Sequence, residues 1–340
     1  MKNSCNLVDH FIERHLREAR DANLAIVCGD RFLTYREVAV EVNRAGNGLL
    51  RLGVSKGARV MLVLPDGFEF VAGYFGAIKI GAVAVPTAPG LTSAVYARLI
   101  AESRAQVVIL HSQFFEEIAP LLGCLPFLRH LVVVGEERAG SIPWESWLGE
   151  SSGELAAAAV SHEDAAFWRW NTDAASGGAI HLHGDWVCCC RNYAADGFAV
   201  TANDIVLSSS KLFHVRGLGN ALMSPFDAGA STILLPGEAR PGAMLAEMER
   251  TRATMLFYTP TQYEAMLREA GRRNYDLSHI RLAISVAEPL PDETFSRWQR
   301  RFGVRILDAV HMFATRRRPE WQHWRSGARA LYGQQILGLQ

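Results

Sequence analysis

The sequence predicts an α/β protein built from two packed subdomains of βαβ units. Short apolar runs of strand length alternate with longer segments in which apolar residues recur at helical spacing. The alternation stops in a polar, alanine-rich connector at residues 135–163 and then resumes in the second half of the chain. Strands and helices that alternate in this way form parallel sheets with right-handed crossovers. We therefore expect a first subdomain at residues 1–160 and a second at residues 161–310.

Length and composition are those of a globular protein with one large or two medium units. The chain has 340 residues, of which 49% are hydrophobic and 21% are charged. Its 35 basic and 35 acidic residues cancel, which argues against a nucleic-acid partner. No apolar run has the length of a signal peptide or of a membrane span, so no membrane partner is expected. Six cysteines, three of them adjacent, form no disulfide framework, which predicts a cytoplasmic location.

The first subdomain contains the most strongly specified helix of the chain, at residues 35–52. Thr34 is a suitable N-cap, and Glu37 stands three residues later, where it completes a capping box. Gly53 follows the helix and supplies the glycine that commonly closes a helix at its C-terminus. The other predicted elements of this half are a helix at residues 8–20, a hairpin at 25–35, strands at 59–64, 81–85, 105–110 and 131–134, and helices at 67–80, 92–103 and 113–122.

The second subdomain continues with the same alternation of elements. Its predicted strands lie at residues 204–208, 230–235, 254–258, 280–285 and 304–307. Its predicted helices lie at residues 186–198, after Gly217, and at residues 242–251, 261–270 and 292–302. After Asp308 neither the helical nor the strand period is present, so residues 311–340 are expected to form an atypical tail.

Five segments have the form of motifs from a known enzyme family. They are Leu33-Thr-Tyr-Arg-Glu37, residues 73–86, residues 210–221, Phe257-Tyr-Thr-Pro-Thr-Gln-Tyr263 and residues 281–291. On these segments the chain resembles the adenylate-forming superfamily of AMP-binding acyl- and aryl-CoA synthetases, and most closely its benzoate–CoA ligase branch. The resemblance covers residues 8–310. It implies the fold of that family's large N-terminal domain, without the small C-terminal domain that closes the active site.

The resemblance also implies a reaction and a set of site residues. Members of the family use ATP and Mg²⁺ to adenylate a carboxylate, and they usually transfer the acyl group to CoA. The positions that match the family's nucleotide contacts are Ser285, Ala287, Glu288 and Asp308. The positions that match its substrate pocket are His214, Gly217, Tyr258, Thr259 and Pro260. The branch favours a small aromatic or similarly compact acyl carboxylate as the ligand.

Three of these positions allow more than one interpretation from the residues alone. His214 could act as a general base, line the acyl pocket as a gate, or be a satisfied core histidine. Glu288 could lie beside adenine or cap the turn at Pro289. Tyr258 fits the wall of a pocket better than a catalytic acid.

The segment from Phe167 to His183 matches the family's phosphate-binding loop at both ends but not in the middle. It is shorter than that loop, and no lysine occurs between Lys79 and Lys211. A triphosphate needs backbone N–H groups and a cation to neutralise it. Asp173 instead adds a negative charge, and a like charge at about 4 Å costs on the order of several kcal/mol. The degenerate loop comprises Thr172, Asp173, Ser176, Gly177 and Gly178.

A second family motif is also degenerate. After Asp308 the family places a glycine, a small residue, a threonine and a glutamate, and the glutamate holds Mg²⁺. This chain continues with Ala309-Val-His-Met-Phe-Ala314, which has neither a hydroxyl nor a carboxylate. We therefore expect no intact catalytic residue, and impaired binding of ATP or AMP, Mg²⁺ and CoA, the cofactors that the family implies.

His181 and His183, followed by Cys188, Cys189 and Cys190, have the composition of a zinc site. A helix would aim the three cysteines in different directions, and a His-x-His pair at this place already occurs in the ligase family. Free cysteine behaves as a small hydrophobe, so a buried helix face is the preferred interpretation. No metal site is expected.

Three hypotheses account for a ligase-like chain with degenerate motifs. It could be a non-catalytic module that binds a carboxylate or a nucleotide, a half-enzyme that a partner chain with the C-terminal domain completes, or the product of a damaged ligase gene. The third follows from matches that break off and then resume in step, as compensating frame shifts would produce. Ligase motifs in the other frames of the coding DNA would support it. Surface left uncovered by missing parts also predicts self-association.

Overall fold

The computed structural model describes residues 5–170, 178–193, 200–238 and 240–309. The chain divides into two compact units that are not contiguous in sequence. Unit 1 comprises Met1–Ala22, Leu33–Cys188 and Leu212–His214, and unit 2 comprises Asn23–Phe32, Cys189–Lys211 and Val215–Gln340. The strands form two seven-stranded sheets that are mostly parallel, which confirms the predicted α/β fold class.

The predicted hairpin is present as β1 (Leu24–Cys28) and β2 (Arg31–Thr34), but it extends the sheet of unit 2. β1 is parallel to a strand from the second half of the chain, with Ile26 opposite Thr232. The predicted first subdomain, at residues 1–160, includes this hairpin. No local pattern specifies a pairing between strands so far apart along the chain, so the sequence alone could not have placed it.

The sheet of unit 1 is parallel except at one edge. Its strands are β3 (Arg59–Val63), β4 (Val83–Pro86), β5 (Ala105–His111), β6 (His130–Val134), β7 (Ile142–Pro143), β8 (Ala165–Arg169) and β9 (Ala179–Leu182). They follow the order β7-β6-β5-β3-β4-β8-β9, and β8 and β9 pair antiparallel. The apolar pattern of the sequence predicts neither β8 nor β9. For β9 the reason is that Ala179 and Ile180 are exposed, so that the strand has no buried apolar run.

Helices alternate with these strands much as the sequence predicts. They are α1 (Arg14–Arg17), which continues a π-helical turn at Asp9–Glu13, α2 (Tyr35–Arg51), α3 (Phe68–Lys79), α4 (Ser93–Ser103), α5 (Phe115–Ile118), α6 (Trp144–Gly149) and α7 (His183–Tyr193). The predicted capping box of α2 is confirmed. The Thr34 side chain accepts a hydrogen bond from Glu37 N, and Thr34 N donates to Glu37 Oε2 at 2.7 Å.

Two predicted stretches of unit 1 differ from the structure. The helix expected at residues 113–122 is broken into short turns around α5, because Pro120 has no N–H to continue helical hydrogen bonding. The connector expected at residues 135–163 contains β7 and α6, since Trp144 and Trp147 are buried and hold this stretch against the core.

The sheet of unit 2 follows the order β14-β13-β12-β10-β11-β1-β2. Its remaining strands are β10 (Ile205–Ser208), β11 (Ser231–Ile233), β12 (Met255–Tyr258), β13 (Leu282–Ser285) and β14 (Ile306–Asp308). The pairs from β14 to β1 are parallel. The helices are α8 (Val215–Gly217), which continues as a π-helix at Leu218–Met223, α9 (Ser224–Ala228), α10 (Pro241–Thr251), α11 (Pro260–Ala270) and α12 (Asp292–Phe302).

One face of the unit 2 sheet is buried under α10, α11 and α12. The side chains that fill this layer are Leu207, Leu256 and Ala283 from the strands and Met248, Tyr263, Met266 and Trp298 from the helices. Burial of these apolar side chains is the main source of stability for such a layer. Among the described residues, no helix combines the length and apolar character needed to cross a membrane.

Candidate functional site

The strand order of unit 2 reverses at β10, because β11 lies on one side of it and β12 on the other. In open parallel sheets, ligands bind outside the carboxyl ends of the strands at such a reversal. Tyr258, Ser285 and Asp308 end the strands β12, β13 and β14. They are direct neighbours in the sheet register, so the structure brings three of the sequence-predicted site residues into one row.

The first two residues of this row carry buried hydroxyls. The side chains of Tyr258 and Ser285 are both 0% exposed. Neither hydroxyl has a hydrogen-bond partner among the described residues. Leaving a buried hydroxyl unpaired costs about 1–3 kcal/mol. Burial also raises the pKa of Tyr258 well above its usual value, so this phenol stays protonated and acts as a donor at neutral pH.

Thr259 and Pro260 begin α11 directly after β12. The Thr259 side chain accepts a hydrogen bond from Gln262 N, and Thr259 N donates to Gln262 Oε1 at 3.0 Å. Ser209, which follows β10, donates to the same Gln262 oxygen at 2.5 Å. The hydroxyl of Thr259 is therefore engaged as a helix cap. Gln262 links the ends of β10 and β12, a role that the Thr-x-x-Gln spacing could have signalled.

The turn after β13 contains a strained residue. Ala287 has a φ of 79°, in the left-handed region that residues with a Cβ rarely adopt. The turn is held on both sides, because Val286 N donates to Tyr258 O at 2.9 Å and Leu290 N donates to Asp308 Oδ2 at 2.9 Å. Glu288 is exposed within the same turn. Strain of this kind persists where surrounding contacts fix the backbone, and it is often found at ligand sites.

Replacing Ala287 with glycine is expected to raise the free energy of unfolding of unit 2. Removing the Cβ relieves about 1–2 kcal/mol of left-handed strain in the folded state. Glycine also gives the unfolded chain more conformational freedom, which lowers stability by about 0.4–1 kcal/mol. The net gain is about 0.5–1 kcal/mol, measurable by urea unfolding. Ala253, which is buried and has no left-handed φ, is the matched control, and Ala253→Gly should destabilise the protein. A loss of stability in Ala287→Gly would contradict the strain.

The segment after β10 is held by the side chain of Lys211, which reaches the backbone beyond β11. Lys211 Nζ donates to Leu235 O at 2.6 Å and to Gly237 O at 2.5 Å. A Cβ at Gly217 would overlap the carbonyl oxygen of Lys211, so only glycine fits where α8 crosses this segment. Gly217 thus has a packing reason to be glycine, and its place in a substrate pocket stays a prediction.

His214 belongs to unit 1, in the short piece Leu212–His214. Its ring lies 4.3 Å from that of Phe213, and its side chain is exposed. Leu212 N donates to Asp66 Oδ1 at 2.9 Å, and the Asp66 carboxylate is buried. An exposed ring argues against the satisfied core histidine among the three interpretations. Asp66, which sequence reasoning missed, is the residue that anchors this piece of chain.

The degenerate loop is carried by the antiparallel pair β8 and β9. Phe167 lies opposite His181, and Trp168 lies opposite Ile180. Thr172, Asp173, Ser176 and Gly177 lie outside the described residues. Gly178 is described, and a Cβ there would lie 2.5 Å from Trp168 Nε1 and would also overlap a backbone oxygen. The residue just before β9 must therefore be a glycine.

Two buried histidines follow this loop. His181 stacks on Phe167 with ring centroids 4.3 Å apart, and His183 Nδ1 accepts a hydrogen bond from Leu7 N at 3.2 Å. Burial, with a smaller effect of the Arg169 charge, lowers the pKa of His181 to about 4. Burial also lowers the pKa of His183 to about 4, against the opposing effect of the Asp164 charge. Both rings are neutral at physiological pH.

The structure describes Cys189 and Cys190 as buried residues of α7, and the Cys188 side chain lies outside the described part. In the ranges that the structure describes, no group of three His, Cys, Asp or Glu side chains is placed to hold a metal ion. The neutral, packed rings of His181 and His183 have a structural explanation in their stacking and hydrogen bonding.

Comparison with known proteins gives consistent similarities. A family model described as AMP-binding enzyme matches residues 12–313. The chain is 31% identical to a benzoate–CoA ligase of Thauera aromatica over 95% of its own length and 62% of that protein. It is 33% identical to a 4-hydroxybenzoate–CoA/benzoate–CoA ligase of Rhodopseudomonas palustris over 91% of its length and 59% of that protein. The chain thus spans about three fifths of the length of these relatives.

Solved structures show the same likeness. A crystal structure of an anthranilate–CoA ligase in complex with anthranoyl-AMP superimposes with a TM-score of 0.85 at 32% identity, and the match covers 90% of this chain and 60% of that one. A benzoate–CoA ligase from Burkholderia xenovorans gives a TM-score of 0.81 at 28% identity, over 89% of this chain and 60% of that one.

Proposed function

The chain belongs to the AMP-binding enzyme family, and from this premise we propose that it binds a compact aromatic carboxylate and AMP but does not adenylate the acid. The observation that carries the proposal is the absence of any lysine between Lys79 and Lys211, together with Asp173 in the loop that matches the family's phosphate grip. Adenylation requires the triphosphate charge to be neutralised, and a loop that lacks this lysine and carries Asp173 does not supply the cation that the family uses.

An aromatic acid is the substrate class that the relatives favour. The similar proteins are named for benzoate, hydroxybenzoate and anthranilate, which are all aromatic carboxylates. The site of unit 2 offers no cation among Tyr258, Ser285 and Asp308, the three residues of the row. A neutral aromatic ring and a nucleoside base suit this environment better than the additional phosphates of ATP.

The row at the ends of β12, β13 and β14 fits a nucleoside. An incoming donor or acceptor that reached Ser285 Oγ would satisfy a hydroxyl that has no partner among the described residues. The Asp308 carboxylate accepts from Leu290 N through one oxygen, and carboxylate oxygens can accept further donors such as an amino group. These two residues would hold the base of AMP and orient it.

The residues present do not fit Mg²⁺. Mg²⁺ prefers carboxylate oxygens combined with phosphate oxygens of the substrate. Ala309 follows Asp308 directly and has no side-chain oxygen, and the stretch after it contains no carboxylate up to Ala314. AMP binding should therefore not depend on Mg²⁺.

Calorimetry with benzoate, AMP and ATP tests this proposal directly. We expect heat from benzoate and from AMP, unchanged by Mg²⁺, and no tighter binding of ATP than of AMP. The variant Ser285→Ala should weaken AMP binding by about tenfold, the value of one lost hydrogen bond, without loss of protein stability. Thr232→Val is the matched control, because Thr232 is also fully buried in unit 2 with a hydroxyl unpaired among the described residues.

Several outcomes would contradict the proposal. The absence of heat with every ligand would remove the binding function. Equal loss of AMP affinity in Ser285→Ala and Thr232→Val would show that the effect is not local to the row. ATP binding that is much tighter than AMP binding and requires Mg²⁺ would show that the phosphates are gripped. Adenylation restored by an added chain with a C-terminal domain would favour the half-enzyme instead.

A further inference from the structure

A pocket of about 300 Å³ lies in unit 1. It opens at the amino-terminal ends of β3 and β4, where Arg59 and Val83 begin these strands. Val83 is in phase with Val85, which packs under α4, so the pocket lies on the α4 face of the sheet. None of its lining residues belongs to the row of unit 2.

The floor of the pocket is apolar and partly uncovered. It is formed by Val83, Ala165, Trp168 and Ile180. Ile180 is 54% exposed although it is a large aliphatic residue, and it lies opposite Trp168 in the β8–β9 pair. A ligand that covered these two side chains would gain about 25 cal/mol for each Å² of apolar surface removed from water.

The rim of the pocket carries a net positive charge. Arg59 and Arg104 line it together with one carboxylate, that of Glu102. Within the described ranges, neither arginine lies within ion-pair distance of an acidic group. Arg104 instead lies over the ring of Phe127, with its guanidinium carbon 5.2 Å from the ring centroid. Two guanidinium groups against one carboxylate leave one positive charge without compensation.

Arg59 is held in place by carbonyl groups at the end of α4. Its Nε donates to Ser103 O at 2.5 Å, its Nη1 to Gly57 O at 3.0 Å, and its Nη2 to Arg104 O at 3.4 Å. These bonds use three of the five N–H groups of a guanidinium and leave its charge in place. Burial, followed by the nearby charge of Arg104, lowers the pKa of Arg59. An anion at the rim would relieve this repulsion.

We propose that this pocket binds a compact, planar organic monoanion, whose aromatic body covers Trp168 and Ile180 and whose carboxylate lies at Arg104 and Arg59. The apolar floor selects an organic body over an inorganic ion, and the single uncompensated charge selects a monoanion. The size is at the lower end of the range of small-molecule pockets. This site is additional to the proposed site of unit 2 and does not depend on it.

The test uses benzoate as the probe on the full chain. The indole N–H resonance of Trp168, assigned by its absence in Trp168→Phe, should shift and saturate with benzoate at an affinity of about millimolar. Benzamide, which has the same shape without the charge, and inorganic phosphate should leave it unmoved. Arg104→Ala should weaken benzoate by about threefold to tenfold, as one exposed charge contact allows. Arg98→Ala is the matched control, because Arg98 is exposed on α4, the helix that ends just before Arg104, and does not line the pocket.

Each other result would overturn the proposal. An equal response to benzamide would show that the negative charge does not contribute to binding. A response to phosphate would show that the planar body is not required. Equal affinity in Arg104→Ala and Arg98→Ala would show that the rim does not bind the probe. If Trp168→Phe does not fold, calorimetry of benzoate against the two arginine variants gives the same comparison, and no difference between them would overturn the site.

Discussion

Replacing Asp204 with alanine is expected to lower the free energy of unfolding of unit 2 by about 3 kcal/mol, because a buried carboxylate and the charge-assisted hydrogen bonds that it accepts are lost together. The Asp204 residue is 2% exposed and stands just before β10. Its carboxylate accepts from Arg281 Nε and Nη2, both at 2.6 Å, and from Thr254 Oγ1 at 2.7 Å. Thr201 N and Oγ1 also donate to it, at 2.7 and 2.9 Å.

The reason for a large effect is that one carboxylate joins the starts of three neighbouring strands. Thr254 precedes β12 and Arg281 precedes β13, so the loss of Asp204 frees the amino ends of β10, β12 and β13 together. Bidentate bonds from arginine to a carboxylate are among the strongest in proteins. The measurement is urea unfolding followed by circular dichroism, with attention to separate transitions for the two units.

Asp276→Ala is the control for this prediction. Asp276 is an exposed carboxylate of the same unit, and its Oδ1 accepts from Ser278 N at 3.0 Å. Its removal should lower the free energy of unfolding far less than the removal of Asp204, because an exposed carboxylate is already solvated. Asp204→Asn, which keeps the shape but loses the charge, should lie between the two. A change in Asp204→Ala no larger than that of the control would contradict the structural role assigned to this network.

The contribution of Asp204 to the free energy of unfolding should also be lost in acid, over a limited range of pH. Burial alone would raise the pKa of Asp204, but hydrogen bonds from Arg281, Thr201 and Thr254 outweigh it and lower the pKa. A carboxyl group whose folded pKa is depressed stabilises the protein above its unfolded pKa, and this contribution is lost as the pH falls through the folded pKa. This part of the acid transition therefore lies below about pH 4.

A second acid transition is expected at higher pH, from His181 and His183. Both have a pKa of about 4 in the folded protein, against an ordinary value of 6.5. The unfolded chain binds more protons between these values, so the free energy of unfolding falls as the pH drops from 6.5 to 4. Each histidine contributes roughly 2–3 kcal/mol to this fall at pH 4.

The measurement for the histidines is the free energy of unfolding of wild type and variants at several pH values between 7 and 4, an interval of roughly 3 units. His181→Phe keeps the stacking on Phe167, and His183→Gln keeps an acceptor for Leu7 N. Each variant should lose about half of the pH dependence in this interval. An unaltered curve in the double variant would contradict the account.

Local patterns in the sequence were sufficient for most helices and strands. The capping box of Thr34 and Glu37 depends on neighbouring residues alone, so the start of α2 could be predicted to the residue. Pro120 was also visible in the sequence, but its effect on the helix expected at residues 113–122 was missed. The parallel pairing of β1 with β11 depends on long-range packing, and no local pattern carries it.

Some features of the candidate site could likewise be predicted from the sequence, and others depend on packing. The resemblance of individual segments pointed to Tyr258, Ser285 and Asp308, and the sheet register brings them into one row. The left-handed φ of Ala287 could not be predicted, because alanine does not mark such a position. Nor could the burial of the Ser285 hydroxyl without a partner in the described residues, since that depends on the packing of α11 and α12 over the sheet.

We propose that this family member does not handle the phosphates of ATP, and exchange of labelled pyrophosphate into ATP tests this proposal most directly. The assay contains the full chain, ATP, Mg²⁺ and an aromatic acid such as benzoate, with a blank that lacks the acid. An active benzoate–CoA ligase assayed in parallel establishes that exchange can be detected. We predict exchange no greater than the blank. Exchange that rises with benzoate would contradict the claim, because it requires a gripped triphosphate and an acyl-adenylate.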